Sequence, residues 1–109
     1  MVTAVADPIL ARYERVRKGQ QKGTLQIRGR FQLTVNQHPV FLFEVWSCQT
    51  YKPGRIHYVT CKIEPKSRPE WKCTCRDFEK NGLFYPCKHI IFVQEEEWWR
   101  LRAKIKASE

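Results

Sequence analysis

An α+β domain is what this sequence of 109 residues predicts: an antiparallel meander of three to four strands, with a basic helix before it and a longer helix after it. Three observations carry that expectation. The spacing of apolar residues changes from three to two at Leu25, turn-forming residues cluster at 36–39 and 51–54, and neither glycine nor proline follows Pro86. The length suits a single domain over 1–109. Hydrophobic residues at 42% and charged residues at 28% fit a folded chain better than a disordered one.

The first helix is expected over 4–19. Asp7 can cap it, Pro8 suits its first position, and Gly19 can close it in the left-handed conformation. Leu10, Tyr13 and Val16 make its apolar stripe, with Arg12, Arg15, Arg17 and Lys18 around them. Those cations are either the solvated side of a docked helix or contacts for an anionic ligand. The meander follows over 24–64. Leu25, Ile27, Gly29, Phe31, Leu33 and Val35 alternate with Gln26, Arg28, Arg30, Gln32 and Thr34, so one face reads as core and the other as solvent. Gly29 marks a bend or bulge. Residues 36–39 turn the chain into a second strand over 40–48. Tyr51-Lys52-Pro53-Gly54 reads as a type II turn before a third strand over 55–64, and 65–69 is a polar linker.

The last helix is expected over 86–107. Ile91, Trp98, Leu101 and Ile105 fall on one side, Glu96 can pair with Arg100, and the run Ile90-Ile91-Phe92-Val93 calls for burial all round. Glu95-Glu96-Glu97 reads as a solvated stretch. Trp98 and Trp99, set among arginines and lysines, form either a contact surface for a protein partner or a helix-on-sheet packing with snorkelling cations.

Charge narrows the function classes. Twenty Lys and Arg against eleven Asp and Glu give a formal +9, with the largest share in residues 1–39. Such a field attracts polyanions, of which nucleic acid is the commonest, or it serves solubility alone. No apolar run approaches the roughly 18 residues of a membrane span. The start lacks a basic n-region and breaks at Asp7-Pro8, unlike a secretory signal. An intracellular protein, cytoplasmic or nuclear, is expected, with neither membrane nor small-molecule substrate as a partner. Five cysteines would leave one unpaired in a purely disulfide framework.

Four residues carry the chemistry. Cys73-Thr74-Cys75, then eleven residues, then Cys87-Lys88-His89, is the inventory of a tetrahedral Cys3His zinc site. In an extended segment Cys73 and Cys75 point the same way, and the first turn of the last helix can bring Cys87 and His89 to the same ion. The positive end of that helix favours thiolate. With four protein ligands no position is left for a water nucleophile, so one structural zinc is expected. Cys48 and Cys61 lie in strands and read as core thiols. Phe78, Leu83, Phe84 and Tyr85 are expected to fold back over the metal.

The C-x-C-x(n)-C-x-H pattern resembles the SWIM zinc finger family. The likeness runs through Cys73-Thr74-Cys75-Arg76-Asp77-Phe78 and Gly82 to Pro86-Cys87-Lys88-His89-Ile90, over about residues 55–93, with the finger itself at 71–93. It implies a ββα finger holding one zinc. It also implies binding of DNA or a protein partner, as in transposases, helicase-like ATPases, plant transcription regulators and recombination accessory proteins. The resulting expectation is a small non-catalytic protein that binds nucleic acid, DNA before RNA, as an accessory subunit of a recombination, transposition or defence complex. Arg12, Arg15, Arg28, Arg30, Arg76, Lys80 and Lys88 are the candidate contacts. The alternative is an adaptor whose finger docks on a larger protein without touching nucleic acid. There is no Ser/His/Asp set, no paired-carboxylate motif and no phosphate-cradling glycine loop, so an enzyme is not expected.

Overall fold

The computed structural model describes residues 7–49 and 52–108, which form an α+β fold. The first helix, α1, spans Pro8–Lys22. Its cap is the expected one: Asp7 Oδ1 accepts from the amides of Ile9 and Leu10 at 2.9 and 3.3 Å. Residues 4–6 of the expected helix lie outside the described residues. The helix does not stop at Gly19. It ends at Gly23, whose φ of 69° is the left-handed cap. Gly19 is instead a point of close approach, since a Cβ there would lie 2.6 Å from Leu25 Cδ1. Gly19→Ala is therefore expected to destabilise the domain by about 1–3 kcal/mol through overpacking, despite alanine's better helix propensity. A urea titration reads this; a more stable variant would refute the packing argument. The buried stripe of α1 is Arg12, Val16 and Gly19, while Leu10 is exposed. The expected apolar stripe is thus rotated, because Arg12 meets a carboxylate inside the fold.

Four antiparallel strands follow in the order β1-β2-β3-β4: β1 Leu25–Val35, β2 His38–Gln49, β3 Lys52–Lys62 and β4 Glu70–Cys73. Asn36 and Gln37 both have positive φ, 52° and 68°, which makes a two-residue hairpin and puts His38 and Pro39 in β2. Gln49 pairs with Lys52, so Lys52, Pro53 and Gly54 belong to β3, not to the expected turn; Tyr51 lies outside the described residues. Gly54 is needed by Trp46, whose indole lies where a Cβ would stand.

The bulge expected near Gly29 falls between Ile27 and Gly29, and it does more than bend the strand. Before it, Leu25 and Ile27 pair with Ser47 and Val45 on the side of the sheet that faces the helices. After it, Arg30 and Gln32 pair with Phe43 and Phe41 on that side. An extra residue exchanges the two faces of a strand. Phe31, Leu33 and Val35 are therefore turned to the uncovered side and are exposed, against the single apolar face expected from alternation.

Beyond β4 come α2, Arg76–Asn81, and α3, Lys88–Ser108. Ile90, Ile91, Phe92 and Val93 are all buried, as their unbroken apolarity requires. Glu97 departs from the expected solvated stretch: it is 4% exposed, paired with Arg30, and 3.8 Å from Arg100. The i,i+3 pair Glu97–Arg100 stands where Glu96–Arg100 was expected, and Glu96 accepts from Gln20. One hydrophobic cluster joins Val16 of α1, Leu25, Phe43, Val45 and Val59 of the sheet, and Ile90 to Val93 of α3. No helix among the described residues is long and apolar enough to cross a membrane.

Candidate metal centre

The end of β4 delivers Cys73, and Cys75 follows as the N-cap of α2, its Sγ accepting from the Phe78 amide at 3.3 Å. Cys87 immediately precedes α3 and His89 lies in its first turn. All four are buried, and their ligand atoms lie within 4.8 Å of one another. Cys73 Sγ is 3.8 Å from His89 Nδ1. Metal bonds of about 2.3 Å to sulfur and 2.0 Å to nitrogen put tetrahedral ligands about 3.6 Å apart, so little movement is needed to close on an ion. Nδ1 is the nitrogen turned to the sulfurs. Nε2 is buried and has no hydrogen-bond partner among the described residues.

The thiols do not titrate alike. Hydrogen bonding from Cys73 and then Cys87 pulls the Cys75 thiol far down. Cys73, giving its proton to that arrangement, is pushed far up, chiefly by its hydrogen bond to Cys75. Three buried thiolates repel one another, and a divalent cation removes the conflict. Cys61 differs: it is fully buried away from the cluster, and burial alone raises its thiol to about 12. Cys48 is half-buried, with carbonyls of Gln49 and Lys52 within reach of its Sγ.

Three thiols and an imidazole, all buried and converging, define a Cys3His zinc-binding centre. Residues 59–93 match the family model of the SWIM zinc finger, and the four ligands lie inside that span. Comparisons with curated proteins and with solved structures gave no match. The β3–β4 hairpin and α3 supply the expected ββα order, with α2 inserted between the two ligand pairs.

The loop between the ligand pairs corrects one expectation. Leu83 is 98% exposed and Phe84 is also exposed; neither covers the metal. Phe78 packs on the core, and the Tyr85 ring lies 4.1 Å beneath the Arg12 guanidinium.

The seven candidate cations separate into distinct environments. Arg12 is buried, donating through Nε and Nη2 to both Asp77 oxygens at 2.7 and 2.5 Å and through Nη1 to Pro8 O at 2.6 Å. That is a tether between α1 and the finger, and it engages all three guanidinium nitrogens. Arg30 is engaged by Glu97. Arg28 stacks 4.4 Å over Trp46 on the uncovered side of the sheet. Lys80 is exposed on α2. Arg15, Arg76 and Lys88, by contrast, converge on a cavity of about 590 Å³ beside Cys75, Cys87 and His89. The same cavity gathers Lys52, Arg55 and His57, none of which belongs to a sequence motif. Arg55 and His57 carried one available signal: at two-residue spacing they share with Val59 and Cys61 the face that meets the helices, so polar groups there need a reason. Burial lowers the pKa of His57, and neighbouring His89 lowers it further. Trp98 and Trp99 are exposed, Trp99 at 76%.

Proposed function

We propose that this protein is a non-catalytic nucleic-acid-binding module, built on one structural zinc and preferring DNA to RNA. The observation that carries the reading is the convergence of Arg15, Lys52, Arg55, Arg76 and Lys88 on one cavity beside the finger. None of the five makes an ion pair among the described residues, and the cavity's carboxylate, Asp77, is held by Arg12. Cations kept out of local pairs are available to phosphates. The +9 charge and the likeness to a family that includes DNA-processing proteins support the same reading, and DNA comes before RNA on that likeness. Four protein ligands complete a zinc coordination sphere, which favours a structural over a catalytic ion. An intracellular accessory subunit of a recombination, transposition or defence complex fits these properties.

Titration of single- and double-stranded DNA and RNA at two salt concentrations, with zinc measured on the same sample, tests the proposal. Affinity is expected to fall by at least tenfold between about 50 and 200 mM salt if three or more phosphates are contacted. Binding that ignores ionic strength would reject it. A second reading, an adaptor that docks on a larger protein, is favoured by the exposed apolar side chains Leu83 and Phe84 at the tip of the zinc loop and Trp98 and Trp99 on α3. Co-purification of one specific protein, with no nucleic acid shifted, selects it.

A further inference from the structure

We infer that the cavity beside the zinc centre is a phosphomonoester site, which in the nucleic-acid reading receives the phosphorylated end of a strand. The inference rests on that reading for its macromolecule and on the cavity's own anatomy for its chemistry. Exposed cations, Arg15, Lys52, Arg55 and Arg76, come from α1, β3 and α2 and stand at the outside; half-buried Lys88 lies deeper. The inner wall is formed by buried residues, among them Ser47 and His89. A recess with a buried inner wall suits the end of a chain, because a phosphodiester in mid-strand must leave on both sides.

Charge supplies the second argument: in the recess Arg15, Lys52, Arg55, Arg76 and Lys88 would together meet the charge of a phosphate. A terminal phosphate carries about −1.5 to −2 at neutral pH, whereas a backbone phosphodiester carries a single charge. The excess of cations that make no ion pair among the described residues suits the dianion. At about 590 Å³ the cavity falls within the range of roughly 300–1,000 Å³ seen for small-ligand sites, enough for a terminal nucleotide as well as its phosphate.

The test uses the zinc-loaded full chain and one short oligonucleotide in three forms: a 5′-phosphate, a 3′-phosphate, or hydroxyls at both ends. Inorganic phosphate and a nucleoside monophosphate serve as competitors. At least one phosphorylated form is expected to bind about tenfold tighter than the hydroxyl form, and the monophosphate is expected to erase the difference. Arg55→Gln should remove the preference while zinc content and unfolding temperature stay unchanged; Arg76→Gln does the same should the first variant fold poorly. Equal binding of all three forms, weakened alike by both variants, overturns the end site and leaves the nucleic-acid reading standing. Binding of the monophosphate or inorganic phosphate with no oligonucleotide bound overturns the nucleic-acid reading and keeps the phosphomonoester site. Absence of binding to any of these probes overturns both.

Discussion

Stripping zinc with a chelator is expected to unfold β4, α2 and α3 and to loosen α1 with them. Structural zinc contributes roughly 10–16 kcal/mol of apparent binding free energy in finger peptides, against about 5–15 kcal/mol for the stability of a whole domain. The loss cannot stay local, because Cys73, Cys75 and Cys87 belong to the same hydrophobic cluster as Val16, Leu25 and Phe43. Without the ion, three thiols and an imidazole in that cluster lose their common partner. Circular dichroism should show a large fall in helical signal, reversed by adding zinc. Cys87→Ser should reproduce it. Cys61→Ala should keep full zinc content and cost only about 1 kcal/mol, since Cys61 packs in the core as a small hydrophobe. A zinc-free protein with undiminished helicity and unfolding temperature would defeat the structural role.

Asp77→Ala is expected to be the most damaging substitution outside the ligands, at about 3 kcal/mol, because it strands the buried Arg12 guanidinium without its counter-charge. Arg12→Met should be milder, since the carboxylate left behind is partly exposed and the new side chain is apolar. The pair also sets a pH dependence. Arg12's hydrogen bonds, before any other cause, hold the Asp77 carboxyl below its ordinary value of about 4. A depressed carboxyl contributes stability that is fully present above its unfolded value and is lost as pH falls through its folded value. Urea midpoints of zinc-saturated protein should therefore drop below pH 4 in the native chain, and the drop should be shallower in Asp77→Asn. Parallel acid limbs in the two proteins would remove Asp77 from the account.

Local signals were legible in the sequence and cross-element ones were not. The Asp7 cap, the first three strands, the all-round burial of Ile90 to Val93 and the four metal ligands rest on residue type and spacing, which act within a few positions of the chain. Gly19 failed as a helix stop because its role is set by Leu25, a contact that helical propensity does not contain. Arg12 looked like a solvated cation or a ligand contact because its partner Asp77 lies 65 positions away. The faces of β1 went wrong by one residue: a bulge was visible in Gly29, but the reversal it causes depends on which partner residues pair across it. The same reversal separates Arg28 from Arg30, which alternation had put together, and sends Arg30 to Glu97. The basic cavity was half legible. Arg15, Arg76 and Lys88 stood out beside motifs, while Arg55 entered through the register of β3 against β2.

The shared core has a consequence for how such a finger can travel between proteins. A module with its own interior can be cut out and grafted as a cassette. Here the matched span 59–93 leaves Val16, Leu25, Phe43 and Val45 behind, and with them much of the apolar surface against which its helix rests. It would also leave behind Arg12, the fastening of Asp77. A fusion or transfer that keeps this finger folded is expected to need α1 and the first hairpin as well.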